Sequence, residues 1–385
     1  MKNSNTFLFI ILGLLAAMAT VVNNLFAPSM PSLVESFGST EAMVQSGFAA
    51  GMVGLSLGTL VWGVLSDALG RRRPLLVSMT LFVVCTACIL PVKSLGLFVA
   101  LRFVQGFTAA GGIAISRSVA TDSFSDRHLL RAMAVINVVN GVMPIVTPLV
   151  GNAMVSLAGW QGVFAVMLAV GVVLMGGCLR LEESLPASQR SNRSFRAVID
   201  RFIAVLGNRR FVTMLLHQAT AEVLLFGNLA SAAFIAQRYG YAQYIGLIYA
   251  VNGVCIGIGA GVAAAFPSAR IGVRTSCLGM LVMSCVVAAV LVSEVGFIPY
   301  EIAVSVMLAF MGITLTSSSA IAMASAREQA GTASALFVAG GFMVSGLVTP
   351  LMGQGNMLHS TAATFVVGAV LATTFFLIHH HKEKL

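Results

Sequence analysis

Long apolar runs alternate with short polar breaks along the whole chain. A helix crossing a bilayer needs about 20 mostly apolar residues. Twelve stretches qualify, at roughly 6–27, 43–65, 74–93, 95–120, 131–155, 162–181, 211–236, 243–266, 274–293, 298–324, 331–355 and 360–380. The pattern predicts an all-α integral membrane protein with twelve transmembrane helices. The first run also has features of a signal peptide: Lys2 ahead of it and Ala16, Ala17 and Ala19 within it. Its length and its helically spaced polar residues favour a span.

The longest break, 182–210, divides the spans into six and six. The expected units are therefore 1–181, a linker at 182–210, and 211–385. Within the linker, Phe195, Val198, Ile199, Phe202, Ile203 and Leu206 recur at helical spacing behind a candidate N-cap, Ser194. Arg193, Arg196, Arg201, Arg209 and Arg210 punctuate the same stretch. This reads as an amphipathic helix lying on a membrane surface, or as the start of the seventh span.

The two halves repeat one another. Val146-Thr147-Pro148-Leu149-Val150-Gly151 returns as Val348-Thr349-Pro350-Leu351-Met352-Gly353, and Gly70-Arg71-Arg72 meets Gly272-Val273-Arg274 at the same offset of 202 residues. Parallel repeats of this kind build transporters with a substrate site between the halves.

Composition agrees and excludes alternatives. AVILMFWYC residues are 58% of the chain, 38 glycines come on top of that, and charged residues are only 9%. Soluble domains carry about 25% charge, so a cytosolic enzyme, a secreted disulfide scaffold and a nucleic-acid binder are all disfavoured. With the N-terminus placed in the cytoplasm, 18 of the 22 Lys and Arg residues fall on the inner side. Only Lys93 and Arg238 fall outside, while Arg102 and Arg117 lie within a span. The positive-inside rule then puts both termini in the cytoplasm, across an inner membrane, and the bias accounts for the net charge of +9. The Cys85–Cys88 pair lies mid-span and reads as apolar packing rather than a redox pair. His379, His380 and His381 read as part of a solvated tail. No metal site, no cofactor and no nucleotide-binding loop is expected.

The most specific motif is Gly63-Val64-Leu65-Ser66-Asp67-Ala68-Leu69-Gly70-Arg71-Arg72-Arg73-Pro74, between the second and third spans. Its glycines permit close helix approach, Asp67 suits the N-terminus of a neighbouring helix, and Arg71 suits Asp122. Here the sequence resembles the major facilitator superfamily, although Ala68 stands where that family usually has Arg. The resemblance implies two pseudo-symmetric six-helix bundles and alternating access. It also gives Arg102-Phe103-Val104-Gln105-Gly106 a family counterpart in which the Arg serves proton or substrate handling.

A charge at this depth costs roughly 2.5–3.5 kcal/mol or more. Arg102 should therefore face the interior or a wet cavity, or else snorkel as a structural residue. Arg102, Gln105, Gly106, Ala109, Ile113, Ser116 and Arg117 share one helical face. In the fifth span Asn137, Asn140, Gly141, Pro144, Pro148 and Gly151 form a stripe similar to the family's antiporter motif, with Pro350 and Gly353 as its counterpart in the second half. Such a helix either gates a cavity or simply packs closely.

Asn23-Asn24-Leu25-Phe26-Ala27-Pro28 resembles the bicyclomycin/chloramphenicol-resistance branch of the drug:proton antiporters. Asn24 stands where that branch has Asp, and an amide cannot cycle a proton. The replacement expected from the sequence is Glu222, read as the only carboxylate well inside a span, with Gln218 one turn before it; a structural Glu is the alternative.

The function expected is a proton-coupled exporter of amphipathic small molecules, acting as a monomer in the lipid bilayer. Glu222 and Arg102 would serve coupling. Asn23, Asn24, Phe26, Asn137, Asn140, Gln218, Phe226 and Asn252 would line the substrate cavity, and Gly63, Asp67, Gly70, Arg71 and Asp122 would gate it. The alternatives are an exporter dedicated to one metabolite or siderophore, and a sensor built on a degenerate transporter.

Overall fold

The computed structural model describes residues 2–190 and 195–382, and among these the regular structure is helical throughout. The helices are α1 (Lys2–Ala16), α2 (Met18–Asn24), α3 (Met30–Phe37), α4 (Glu41–Leu69), α5 (Arg72–Ile89), α6 (Leu95–Ser123) and α7 (Asp126–Leu179). After the linker come α8 (Phe195–Gly207), α9 (Arg209–Arg238), α10 (Ile245–Ala263), α11 (Ala269–Val292), α12 (Phe297–Ser325), α13 (Ala330–Val348) and α14 (Met357–Lys382).

Among the described residues ten helices are long and apolar enough to cross a membrane, and a pair bent by 48°, Phe7–Ala16 with Met18–Phe37, makes an eleventh. The 54-residue α7 is broken at Ala158 (φ −145°, ψ 17°) and Gly159 (φ 64°, ψ −163°). Each side of that break is long enough to cross, as two of the expected segments require. The first segment is part of the core: Leu12, Leu15, Met18 and Val22 are fully buried.

The breaks between helices are capped by short polar residues. Thr40 accepts from the Met43 N–H ahead of α4, Ser268 from the Ile271 N–H ahead of α11, and Asn208 from the N–H groups of Arg210 and Phe211 ahead of α9. Each supplies a partner that the first helical turn lacks. Ser194, the expected cap of α8, lies outside the described residues, as do Arg193 and Lys384.

Close helix pairs rest on missing side chains. A Cβ on Gly106 of α6 would overlap the Gly51 carbonyl of α4, and a Cβ on Gly312 of α12 would overlap the Ile256 carbonyl of α10. The same second-to-fourth-segment contact thus recurs in both halves, as the sequence repeat implies.

Two expectations need correction. The repeated Val-Thr-Pro-Leu segment is α-helical inside α7, but in the second half α13 ends at Val348 and Thr349–Gly353 forms a 3-10 turn. Pro350 donates no hydrogen bond, and the chain soon turns through Gly355 at φ 64°. His379 is not in a solvated tail. It is 3% exposed on α14, with its Nδ1 3.0 Å from Thr213 Oγ1.

One end of the bundle, at the turns after α4, α6, α10 and α12, holds Arg71, Arg72, Arg127, Arg270 and Arg327. The other end holds the turns after α3, α5, α9, α11 and the 3-10 segment.

Candidate functional site

A cavity of about 430 Å³ lies between the halves at the arginine-rich end. Its walls include Thr20 (α2), Thr59, Gly63 and Asp67 (α4), Arg117 (α6), Asn140 (α7), Phe202 (α8), and Thr332, Ser334 and Phe342 (α13). Above it α4 meets α13, where Ser56 donates to the Ala339 carbonyl at 2.7 Å. At the opposite end the halves are tied together. Gln45 donates to the Ala230 carbonyl at 3.2 Å, Gln237 to Glu35 at 3.2 Å, and Asn152 to the Gln243 carbonyl at 2.9 Å. The Cβ of a side chain at Gly246 would press on the Pro148 carbonyl, and one at Gly353 on Ala42. The cavity is therefore open at one end only.

The glycine–arginine turn at its mouth is a hub. Arg71 donates from Nε to Asp122 at 2.8 Å and from Nη1 to Ser66 at 2.9 Å, and it also pairs with Asp67. Burial works against its charge, but hydrogen bonds to Asp122 and Asp67 outweigh burial and hold its pKa above the ordinary value. The Arg71–Asp122 contact expected from the sequence is present. The structure has it with the cavity open, because both residues belong to the first half. Asp67 does not reach the N-terminus of α13. Its side chain is 59% exposed and it lines the cavity together with Gly331 and Thr332 at that terminus.

Sequence reasoning missed Glu183. It accepts from the backbone N–H of Arg71 at 2.7 Å, of Arg72 at 3.3 Å and of Leu185 at 3.1 Å, and its Oε2 lies 3.8 Å from Arg190. Burial is outweighed by these backbone N–H donors and the Arg190 charge, so its carboxyl titrates below the usual range. Gly70, at φ 91°, leaves room for it; a Cβ there would overlap Glu183 Oε2. A pair of acids after the sixth span, Glu182 and Glu183, gives no local signal of that partnership.

Arg102 faces the interior of the first half, not the cavity. It is fully buried, donates to Gln105 Oε1 at 2.5 Å and to the Val22 carbonyl at 3.3 Å, and stacks 4.2 Å from the Phe26 ring centroid. Thr86 accepts from Gln105 at 2.9 Å and fixes that amide. Phe26, expected in the cavity, is instead sealed among Phe48, Phe98 and Phe164. The stripe on α6 splits: Arg102, Gln105, Gly106, Ala109 and Ser116 are buried, while Ile113 and Arg117 line the cavity. The cation in the cavity wall is thus Arg117.

Glu222 lies behind the cavity wall. Its Oε1 accepts from Gln218 Nε2 at 2.6 Å, and Gln218 in turn accepts from Ser318. Gly341 of α13 has no side chain because a Cβ would overlap Glu222 Oε2. The next residue, Phe342, lines the cavity and packs 5.5 Å from Phe226. Arg102 and Glu222 are not brought together. Asn23 is buried with neither amide atom partnered, and Asn24 is half-buried. Asn137 is exposed and is not among the lining residues. Asn252 faces α12, where it accepts from Ser305 at 3.0 Å. Pro144, Pro148 and Gly151 bring α7 against its neighbours: Gly253 and Gly246 face the two proline carbonyls, and Gly151 faces the Leu25 carbonyl. Glu222 is not the only acid inside a span, because Glu301 lies on α12 one turn past Phe297. No cluster of three or more potential metal ligands occurs among the described residues.

Residues 12–350 match the family model of the Major Facilitator Superfamily. An uncharacterised MFS-type transporter, YdgK of Bacillus subtilis (strain 168), is 29% identical over 381 residues, covering 95% of this chain and 94% of that one. A bicyclomycin resistance protein homolog of Haemophilus influenzae is 29% identical over 173 residues, 45% of this chain and 44% of its own. Among solved structures, the xylose transporter XylE from E. coli, in a partially occluded inward-open conformation, superposes with a TM-score of 0.75. That match has 14% identity and covers 96% of both chains.

Proposed function

The chain belongs to the major facilitator superfamily, a family of multi-pass membrane transporters, and from that premise we propose that it exports amphipathic small molecules in exchange for protons. The observation that carries the reading is the cavity between the halves, open at one end and tied shut at the other. It carries one acid, Asp67, one base, Arg117, and one amide, Asn140, on otherwise apolar or hydroxyl-bearing walls. Such a surface suits a molecule with both apolar and polar parts. The likeness to a bicyclomycin resistance protein homolog favours drugs among such molecules.

The mechanism is alternating access. Units 1–181 and 211–385 rock about the cavity while 182–210 links them. The arginine-rich end faces the cytoplasm of the inner membrane, with both termini on that side. Reporter fusions test this: residue 200 should report inside and residue 240 outside, and the reverse pattern refutes it. Opening the opposite end requires breaking the cross-half bonds of Gln45, Gln237 and Asn152. Each is worth about 0.5–1.5 kcal/mol net, so the gap between states is small enough for a ligand to tilt. Closing the arginine-rich end brings Asp67 across the cavity to the N-terminus of α13, where a carboxylate is stabilised.

Glu222 is the proton carrier in this reading, since Asn24 cannot serve. It lies one side chain behind the cavity, and its link through Gln218 to Ser318 joins proton binding to packing between α9 and α12. Protons and substrate bias the two states only by their differential affinity for them. Arg102 then holds the first half together around Phe26 instead of meeting Glu222.

The test is transport in sealed vesicles, with and without an imposed pH gradient, across cationic drugs, neutral drugs and siderophores. Wild type should accumulate at least one class only with the gradient. Glu222→Gln should lose gradient-driven transport and keep exchange. Normal accumulation by Glu222→Gln refutes the carrier assignment. A preference for one siderophore alone would favour a dedicated exporter.

A further inference from the structure

A second carboxyl lies in the second half, away from the cavity. Glu301 is four residues beyond Phe297, the first residue of α12, which places it about 6 Å from that helix end. That end belongs to the side of the molecule tied shut, close to the exposed Arg238–Glu294 pair. Its surroundings are uncharged. From α10 come Tyr249 and Asn252; from α12 itself come Tyr300 and Ser305. From α9, Asn228 stands behind Tyr300, accepting its hydroxyl proton at 3.0 Å. The neighbouring end of α11, Met283–Val292, has Cys285 as its one titratable group, and the far end of α13, Gly341–Val348, has none. On α9 the only charge at this end is Arg238, which pairs with Glu294.

The hydrogen bonds around Glu301 run in one direction. Ser305 Oγ is 3.0 Å from Asn252 Oδ1 and 3.4 Å from Glu301 Oε1. The hydroxyl has one hydrogen, and the shorter contact takes it. Glu301 Oε1 then meets an oxygen lone pair. Its Oε2 is buried without a hydrogen bond, and the amide of Asn252, which lies within reach of the carboxyl and is only 3% exposed, has a buried Nδ2 that makes none either. An ionised carboxylate here would leave buried acceptors unmet, at a cost of several kcal/mol. A protonated carboxyl removes the clash of lone pairs between Glu301 Oε1 and Ser305. Its O–H donates to Ser305, which donates to Asn252, and every step has a donor facing an acceptor.

We propose that Glu301, held by Asn252 and Ser305, is a second proton-binding site, loaded from the end of the molecule opposite the cavity. The two intramembrane acids of the second half then divide the work. Glu222 borders the compartment reached through the arginine-rich end, and Glu301 borders the other. The proposal deepens the proton-coupled reading, but the protonation it asserts is measurable without transport.

The test uses the full-length protein in liposomes. Infrared difference spectra of wild type against Glu301→Gln should show one protonated-carboxyl C=O stretch fewer in the variant at neutral pH. The same loss should appear in a Glu222→Gln background, so failure of the Glu222 assignment leaves this result intact. An unchanged band in Glu301→Gln means that Glu301 is ionised, and the proposal falls. Folding of the variant is bypassed by labelling wild type with dicyclohexylcarbodiimide, which attacks protonated carboxyls in apolar surroundings. Labelling at Glu301, read by mass spectrometry, should fall when the medium is made alkaline on the side from which a Glu294→Cys thiol is accessible. Insensitivity to that side, or sensitivity to the other side alone, overturns the assigned direction of loading.

Discussion

Replacing Glu183 with Gln should loosen the turn that carries Arg71, by an amount that can be worked out from its contacts. Glu183 Oε1 accepts from Arg71 N–H at 2.7 Å and Leu185 N–H at 3.1 Å, and an amide oxygen can keep those. Oε2 accepts from Arg72 N–H at 3.3 Å and lies 3.8 Å from Arg190. An amide NH₂ there would set donor against donor. The change thus removes one charge-assisted hydrogen bond, worth about 1.5–3 kcal/mol, and one ion pair, worth about 0–1 kcal/mol. The Glu183 side chain is 27% exposed, which puts the total at the low end, about 1–2 kcal/mol. The pH dependence has a definite sign. The folded-state pKa is lowered, so the stabilisation is present above the unfolded value of about 4.3 and is lost as pH falls through the folded one. The assay is reversible unfolding in mixed micelles across about pH 6 to pH 3, for wild type, Glu183→Gln and Gly70→Ala. Gly70→Ala attacks the same contact from the other side, since its Cβ would overlap Glu183 Oε2 at a backbone φ of 91°. Wild type should lose its advantage over Glu183→Gln at the acid end, and both variants should transport poorly because the turn that positions Arg71 beside Asp67 and Asp122 is loosened. A Glu183→Gln protein within about 0.3 kcal/mol of wild type at pH 6, with no convergence in acid, would refute the reasoning.

Gly106→Ala drives a Cβ into the Gly51 carbonyl, which is backbone and cannot swing aside; overpacking of about 1–3 kcal/mol or more should lower the unfolding midpoint, and an unchanged midpoint would mean that α4 and α6 separate freely. Cysteines at Glu35 and Gln237, in a cysteine-free background, should cross-link across the closed end and stop transport until reductant is added; continued transport by the cross-linked protein would rule out opening at that end. Asp67→Asn should leave folding intact and slow transport, because closure of the arginine-rich end loses a carboxylate at the α13 N-terminus; wild-type rates would show that Asp67 has no part in closure. Asn24→Asp should steepen the pH dependence of transport if that position still reaches the proton pathway, and an unchanged pH profile would leave Glu222 and Glu301 as the acids to examine.

Hydropathy alone determined the class of this protein. Apolar runs longer than a bilayer is thick, joined by turns rich in arginine, leave few alternatives, and the repeated Val-Thr-Pro-Leu segment fixed the relation between the halves. Local sequence also marked the turn at Gly70 and Arg71, because a left-handed glycine beside clustered charge is a short-range signal. Which way a side chain points inside a helical bundle is a different kind of fact. Arg102 and Arg117 lie on one stripe of α6, yet packing against α2 and α7 turns the first toward Phe26 and leaves the second in the cavity wall. Helical periodicity is the same in both cases, and only the neighbouring helices break the tie. Phe26 and Asn252 were drawn toward the cavity by their chemistry, and the tertiary structure gave one to an aromatic core and the other to Ser305. The partners of Glu183, the Asn252 neighbour of Glu301 and the Gly341–Glu222 contact were invisible for the same reason, although Glu301 itself stood within the apolar stretch 298–324. Each depends on segments far apart in the chain meeting at one point, and a linear pattern of apolar and polar residues carries no record of which helix lies beside which.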